Sequence, residues 1–555
     1  MMDSLQRLID LDAITRLRTH DATLFAQDAD GVDLAASSLG WMDPGTGAAA
    51  VLGQLDRLAR EAAEEGVGDV VLLGMGGSSL ASLVISDVLS EAGNVRLHVL
   101  DTTSPLSVGR IMAELDPAKT LYLVSSKSGG TIEPLSLYAI FREEADNELG
   151  RHAAGQRFIA ITDPGSSLEA LAAAEGFRAL ISSPPTVGGR FSALTVFGLL
   201  PASLIGVDVA ELLERAGAMD SACSMPTTAE NPGARLAAFI GDALTAGRDK
   251  LTVVTSDSLS SFGLWAEQLV AESLGKEGTG VVPVVELSDD MPHGYGPDRS
   301  VVVLRLHDDA RLAEWVPLLA QHAPVLELVL RDGYDLGAEF VRWEHAVALL
   351  GPLLAVNPFG QPNVAAAKAA TAAVLAGELT APEPDVTLED GTAITFAGAL
   401  PRPTRDPGSV EAALGHALGA IRPRDFLCVL AYLPNDGELL APLRAAVTRV
   451  SEAMGAAVTL EVGPRYLHST GQLHKGGSDN GVFVLLTTRD HADIPVPGQP
   501  WGLCRLHRAQ AEGDLSTLVG AGRRVVRIDM PDAGAEGVHA FSEALLHAAG
   551  EVTGG

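Results

Sequence analysis

Residues 69–89 read DVVLLGMGGSSLASLVISDVL. A short apolar run passes through glycines and serines into a segment whose apolar residues recur at helical spacing. A strand that feeds a helix through a glycine turn is the repeating unit of a parallel sheet covered on both faces. The pattern continues outward. RLHVLD (96–101), TLYLVSS (120–126), RFIAITD (157–163) and FRALIS (177–182) are further short strands, with helical segments such as Ile132 to Leu149 between several of them. KLTVVTSDSLSSFGLWAEQLVAES (250–273) faintly repeats the opening unit, and VVPVVEL, VVVLRL and VLELVL follow before a helix at Leu336 to Leu354. FLCVLAYL, AAVTLEVG, GVFVLLTTR and RRVVRIDM supply a third set of strands, with helices near Glu438 to Met454 and Arg508 to Val519.

The expected class is therefore α/β: two related αβα sandwiches with parallel sheets, and a C-terminal α/β domain. The expected boundaries are a helical segment at 1–44, a first domain at 45–210, a second at 211–380 and the third at 381–555. DPGTG (43–47), PEPDV (382–386) and PRPTRDPG (401–408) are expected to be linkers. A length of 555 residues agrees, being too much for one core.

A net charge of −32 argues against a general nucleic-acid binder, which would need a basic face. Three cysteines, widely spaced and without CxxC, suggest neither a disulfide framework nor a zinc site, so no metal is expected. The N-terminus lacks the basic-then-apolar run of a signal peptide, and the longest apolar stretch, Ala193 to Val207, is interrupted by Pro201. A soluble, cytoplasmic protein without a membrane span is expected. Of 39 basic residues only six are lysine, and Lys127, Lys276, Lys368 and Lys475 lie in Gly- or Pro-marked motifs, where a compact ammonium is useful.

GMGGSSL (74–80) and SSKSGGTIEP (125–134) each join a strand to a helix at the carboxyl edge of the first sheet. Glycines there admit an anion to backbone amides, and the helix N-terminus favours negative charge. Gly77 and Ser78 in the first loop, and Ser126, Lys127, Ser128 and Thr131 in the second, are the candidate phosphate contacts. There is no GK[ST] and no GxGxxG, so a phosphate without the rest of a nucleotide is expected, and helix capping is the alternative for the serines.

These motifs, followed by PTVGGRFSALTVFGL (185–199), AESLGKEGTG (271–280) and NPFGQPNVAAAK (357–368), stand in the order seen in glucose-6-phosphate isomerases. The resemblance covers about residues 45–375 and implies two sugar-isomerase (SIS) domains. With GPRYLHSTGQLHKGG (463–477) included, the chain looks most like the isomerase half of bacterial bifunctional transaldolase–isomerase proteins, without room for the transaldolase barrel.

The resemblance implies aldose–ketose isomerisation of glucose 6-phosphate and fructose 6-phosphate through an enediolate, with no cofactor. Glu272 matches the family's base, with Glu267 and Glu277 as alternatives on the residues alone. Arg190 suits stabilising the enediolate. Lys368 matches the family's lysine, and His293 is the candidate for its ring-opening histidine, which in many members comes from the partner subunit of a homodimer. His345 is expected to be structural. Gly360, Asn363 and Ala365 depart from the family's usual residues before the lysine. His474 and Lys475 form a second basic glycine loop with three open readings: reaching the same pocket, binding another anion, or simply turning between strands. Isomerisation of another phosphosugar such as mannose 6-phosphate, or a non-catalytic phosphosugar-binding module, are the competing readings.

Overall fold

Three separate sheets organise the described residues. The computed structural model describes residues 3–90, 95–226, 229–286, 291, 294–489 and 492–554. Strands β1 (Asp69–Leu73), β2 (Arg96–Leu100), β3 (Thr120–Ser125), β4 (Phe158–Thr162) and β5 (Ala179–Ser182) form the first sheet, in the order β2-β1-β3-β4-β5. All its pairings are parallel. Every residue of β1 and β3 is buried, as expected of strands with helices on both faces.

Strands β6 (Lys250–Thr255), β7 (Val282–Val285), β8 (Arg299–Leu306) and β9 (Val325–Leu330) form the second sheet, β7-β6-β8-β9, also parallel. The third contains β10 (Val386–Thr387), β11 (Ala393–Gly398), β12 (Phe426–Ala431), β13 (Ala457–Val462), β14 (Gly481–Thr488) and β15 (Arg524–Met530), in the order β10-β11-β15-β14-β12-β13. Strands β12 to β15 pair in parallel, whereas β10 and β11 add an antiparallel edge.

In each sheet the chain reverses its direction of strand addition once: between β1 and β3, between β6 and β8, and between β12 and β14. Neighbouring connections leave such a point on opposite faces and open a crevice at the carboxyl ends of its two strands.

Two expected linkers are structured. DPGTG opens the helix Pro44–Glu64, because proline suits a first helical turn where its missing N–H is not needed. The end of PEPDV contributes Val386 to β10. A single apolar cluster runs from Leu8 to Phe359 and takes in residues of the N-terminal helices and of both of the first two sheets. The helix Phe262–Leu274 lies within it, buried along nearly its whole length, with Trp265 edge-on to Phe340 at 4.7 Å.

Candidate active site

GMGGSSL and SSKSGGTIEP leave β1 and β3, the two strands that flank the first reversal point. The Ser125 hydroxyl donates to the Ser78 carbonyl at 2.9 Å, tying the loops together. Gly77 is pressed against the loop of Arg190: a Cβ at this position would stand 2.1 Å from the Gly189 carbonyl oxygen. Ser126 donates to the Thr131 hydroxyl at 3.1 Å, just before the helix Ile132–Leu149. Thr131 occupies the N-cap without a side-chain capping bond. Ser128 is exposed and Ser78 half-buried. Lys127 turns away from the hydroxyls and pairs with Asp163 at 2.5 Å.

Arg190 and Glu272 meet at 3.0 Å, both buried. The guanidinium also donates to the Ser273 hydroxyl (2.7 Å), to Gln361 Oε1 (3.0 Å) and to the carbonyls of Pro358 and Gly360. Five acceptors from two stretches of chain set its plane. The second oxygen of Glu272 accepts from Gln268 Nε2 at 3.0 Å, one helical turn earlier. Gln268 Nε2 also donates to the His468 carbonyl at 2.8 Å, while its Oε1 is buried without a hydrogen-bond partner. The alternative bases face elsewhere: Glu267 shares a hydrogen bond with Glu461, and burial first, then the Glu461 carboxylate, pushes it well above the ordinary range. Glu277 is exposed.

His468 brings the C-terminal part of the chain into the site. Its Nε2 lies 2.9 Å from Glu133 Oε1. Burial pushes the Glu133 carboxyl up, but the charge and hydrogen bond of His468, with Lys368 adding to them, outweigh this and hold it below the ordinary carboxylate range. A cavity of about 200 Å³ lies between Gly130, Thr131, Glu133, His468 and the helix Pro362–Leu375, with Lys368 on its wall. The backbone of His468 abuts the first loop: Gly76 has φ +54°, and a Cβ there would meet the His468 carbonyl at 2.5 Å. His293 lies outside the described residues.

Lys276 is buried beside Arg190 and donates to the carbonyls of Asn357 (2.9 Å) and Gly360. Burial, then the neighbouring Arg190 charge, lowers its pKa to about 6, with Glu272 opposing. It lines a larger cleft of about 950 Å³ shared with Lys127, Arg190, Gln361 and the N-terminal helices.

GQLHKGG forms a short helix, Gly471–Gly476, rather than an open loop. Lys475 is buried in an ion pair with Asp514. His474 sits 3.7 Å from Cys428 Sγ, and the two share with Glu461 a buried cluster whose ligand atoms lie within 4.8 Å. Burial raises the pKa of the Cys428 thiol and of the Glu461 carboxyl and lowers that of the His474 imidazole. The neighbouring Gln472 exchanges two bonds with Asn363, accepting from its backbone N–H at 3.0 Å and donating to its side chain at 2.8 Å. His345 pairs with Asp220 at 3.1 Å and packs on Trp41.

The residues of the candidate site not singled out in the sequence are Glu133, Gln268, Gln361 and His468. Glu133 and Gln361 stand inside recognisable motifs, and Gln268 lies one helical turn before Glu272; nothing local marks His468 as a partner for Glu133.

The phosphoglucose isomerase family model matches residues 59–288, which include both serine loops, Arg190 and Glu272. The chain belongs to the phosphoglucose isomerase family. A glucose-6-phosphate isomerase of Trichormus variabilis is 38% identical over 216 residues, 38% of this chain and 40% of that protein. One of Thermosynechococcus vestitus is 32% identical over 350 residues, 56% of this chain and 66% of that protein. The chain thus spans between two fifths and two thirds of the lengths of these curated relatives. Among solved structures, a hypothetical protein of Thermus thermophilus superposes with a TM-score of 0.55 at 28% identity, over 68% of this chain and all of that one. A glucose-6-phosphate isomerase of Chlamydia trachomatis shares the fold at TM-score 0.52 and 19% identity, over 67% and 84% of the two chains. Among the described residues, no helix is long and apolar enough to cross a membrane.

Proposed function

We propose that this phosphoglucose isomerase family member interconverts glucose 6-phosphate and fructose 6-phosphate, as a cytoplasmic step of glycolysis and gluconeogenesis. The observation that carries the reading is the buried carboxylate of Glu272, held between two fixed donors, Arg190 and Gln268. A carboxylate so placed is oriented to move a proton rather than to bind solvent.

In this reading the phosphate sits on the hydroxyls of Ser126, Ser128 and Thr131 and on the free N–H groups of the helix Ile132–Leu149, with Gly77 and Ser78 closing the crevice. The sugar extends past Lys368 and the His468–Glu133 pair. His468 gives a proton to the ring oxygen as the C1 hydroxyl loses one, and the ring opens. Glu272 takes the C2 proton, and the electron pair left on C2 forms the C1–C2 double bond as the C1 carbonyl pair moves onto O1. Arg190, a fixed cation, stabilises the charge on O1 and O2. Returning the proton to C1, as the O2 proton passes to O1, yields the ketose. The unpaired Oε1 of Gln268 offers an acceptor to a sugar hydroxyl. No cofactor takes part, since the hydrogen leaves and returns as a proton. In this reading His468, from the same chain, takes the ring-opening role expected of His293.

Two related units and a third domain, with boundaries near residues 45, 211 and 381, form part of this reading. A coupled assay with fructose 6-phosphate and mannose 6-phosphate side by side tests it. Turnover of the first pair, with solvent hydrogen exchange at C2 that disappears in Glu272→Gln while phosphosugar binding stays, is the expected result. Retained exchange in that variant removes Glu272 from its role, and turnover of mannose 6-phosphate alone replaces the substrate.

A further inference from the structure

The three sheets treat their reversal points differently. The first carries the serine loops. At the second the crevice is filled from within: the Ser256 hydroxyl donates to Asp309 at 2.6 Å and accepts from the backbone N–H of Leu306 at 3.0 Å. The third, between β12 and β14, is open. A pocket of about 250 Å³ lies at the carboxyl ends of these strands, between Tyr432, which follows β12, and Thr487, Thr488 and Arg489 at the end of β14. It is closed by the first turns of the helix Leu503–Gly520, through Arg505, His507 and Arg508.

Its charge is opposite to that of the chain. Although the sequence carries 71 acidic residues against 39 basic ones, no carboxylate is among the described lining residues and three arginines are. The carboxylates behind them do not balance the charge. Asp529 is shared by Arg489 and Arg508, each at 3.4 Å, and by Arg527 at 3.5 Å. Glu512 serves Arg505 at 3.5 Å and Arg508 at 3.0 Å. Two acids thus face four guanidiniums. Arginines with two carboxylate partners between them keep N–H donors for an anion. The Tyr432 hydroxyl, on a side chain 1% exposed, makes no well-aligned hydrogen bond. Burial lowers the pKa of His507 to about 4, so the imidazole is a neutral wall.

We propose that this crevice binds a small phosphate-bearing metabolite, separately from the site on the first sheet. The volume is that of roughly eight water molecules at about 30 Å³ each, which suits a phosphate with a short carbon chain rather than a nucleotide. Forked guanidiniums at the carboxyl edge, with the Thr488 hydroxyl opposite, match a tetrahedral dianion, while the Thr487 hydroxyl donates to Asp529 at 2.7 Å and so helps to hold that acid behind the arginines. The same helix carries Gln510, whose Nε2 donates to Glu133 at 2.7 Å, so the crevice and the candidate active site share one rigid element.

The test is a phosphorus NMR titration of the full chain with inorganic phosphate. The unsubstituted protein is expected to show two classes of site. Arg489→Gln with Arg508→Gln should weaken one class by about tenfold or more, the order expected for a lost charge-assisted contact. Ser126→Ala with Thr131→Val should weaken the other. Should the double arginine variant fail to fold, Arg489→Gln alone, at a side chain 44% exposed, serves in its place. An unchanged affinity in the arginine variant overturns the proposal, and so does equal displacement of phosphate by succinate. Loss only in the arginine variant leaves the crevice standing and removes the serine loops instead.

Discussion

His468 and Glu133 stand 335 residues apart in the chain and 2.9 Å apart in the fold. One comes from the third-sheet region and the other from the first turn of the helix that follows β3, and Lys368 lies on the same cavity wall. A carboxylate that accepts from one imidazole nitrogen fixes the ring's orientation. The C-terminal region therefore supplies a polar group to the place where the sugar ring is proposed to open.

Substituting His468 by Gln should lower turnover by about a hundredfold, the low end of general acid–base contributions, with KM little changed. Steady-state assays from both substrates check this. An unchanged turnover would assign ring opening to another group.

Arg190→Lys is expected to reduce kcat more than affinity. Lysine keeps the charge but cannot reproduce a guanidinium that meets Glu272, Ser273, Gln361 and two carbonyls at once. The kcat-to-KM split reads it, and an unaltered rate would show that the guanidinium does not reach the enediolate.

Ending the chain near residue 380 should abolish activity. The cut removes His468, the Arg465 pair to Asp101 at 2.5 and 3.0 Å, and the helix Leu503–Gly520 that packs on Pro362–Leu375. A truncated chain with full turnover would make the third sheet an appendage.

Lys276 carries a pH signature. With a folded pKa of about 6 against an unfolded value near 10.5, the unfolded chain binds the extra proton across that window, so this residue makes stability rise as pH increases from about 6 toward 10. Lys276→Met should remove that rise while leaving the rest of the profile parallel. Urea midpoints at pH 6, 7.5 and 9 compare the two, and superimposable slopes would mean that Lys276 is charged in the fold.

Strand and helix segments were legible because burial on two faces forces continuous apolar runs. The helices Ile132–Leu149 and Leu336–Leu354 coincide with their expected limits. Strands β10 and β11 were not, since one has two residues and the other is six residues of mostly small side chains that end in Gly398. The serine loops and the Arg190–Glu272 neighbourhood could be anticipated from motifs with local geometry. His468 could not, because its role depends on how the third sheet docks. Lys475 resembled a site lysine for the same reason in reverse: the glycines near it, Gly275 and Gly476 among them, permit close packing, and its ammonium is committed to Asp514.

The exchange of bonds between Asn363 and Gln472 gives the unusual asparagine a purpose. A chimaera that imports either segment alone from a relative would leave an amide facing a stranger's side chain, so these two short stretches are bound to be inherited, or transplanted, as a matched set.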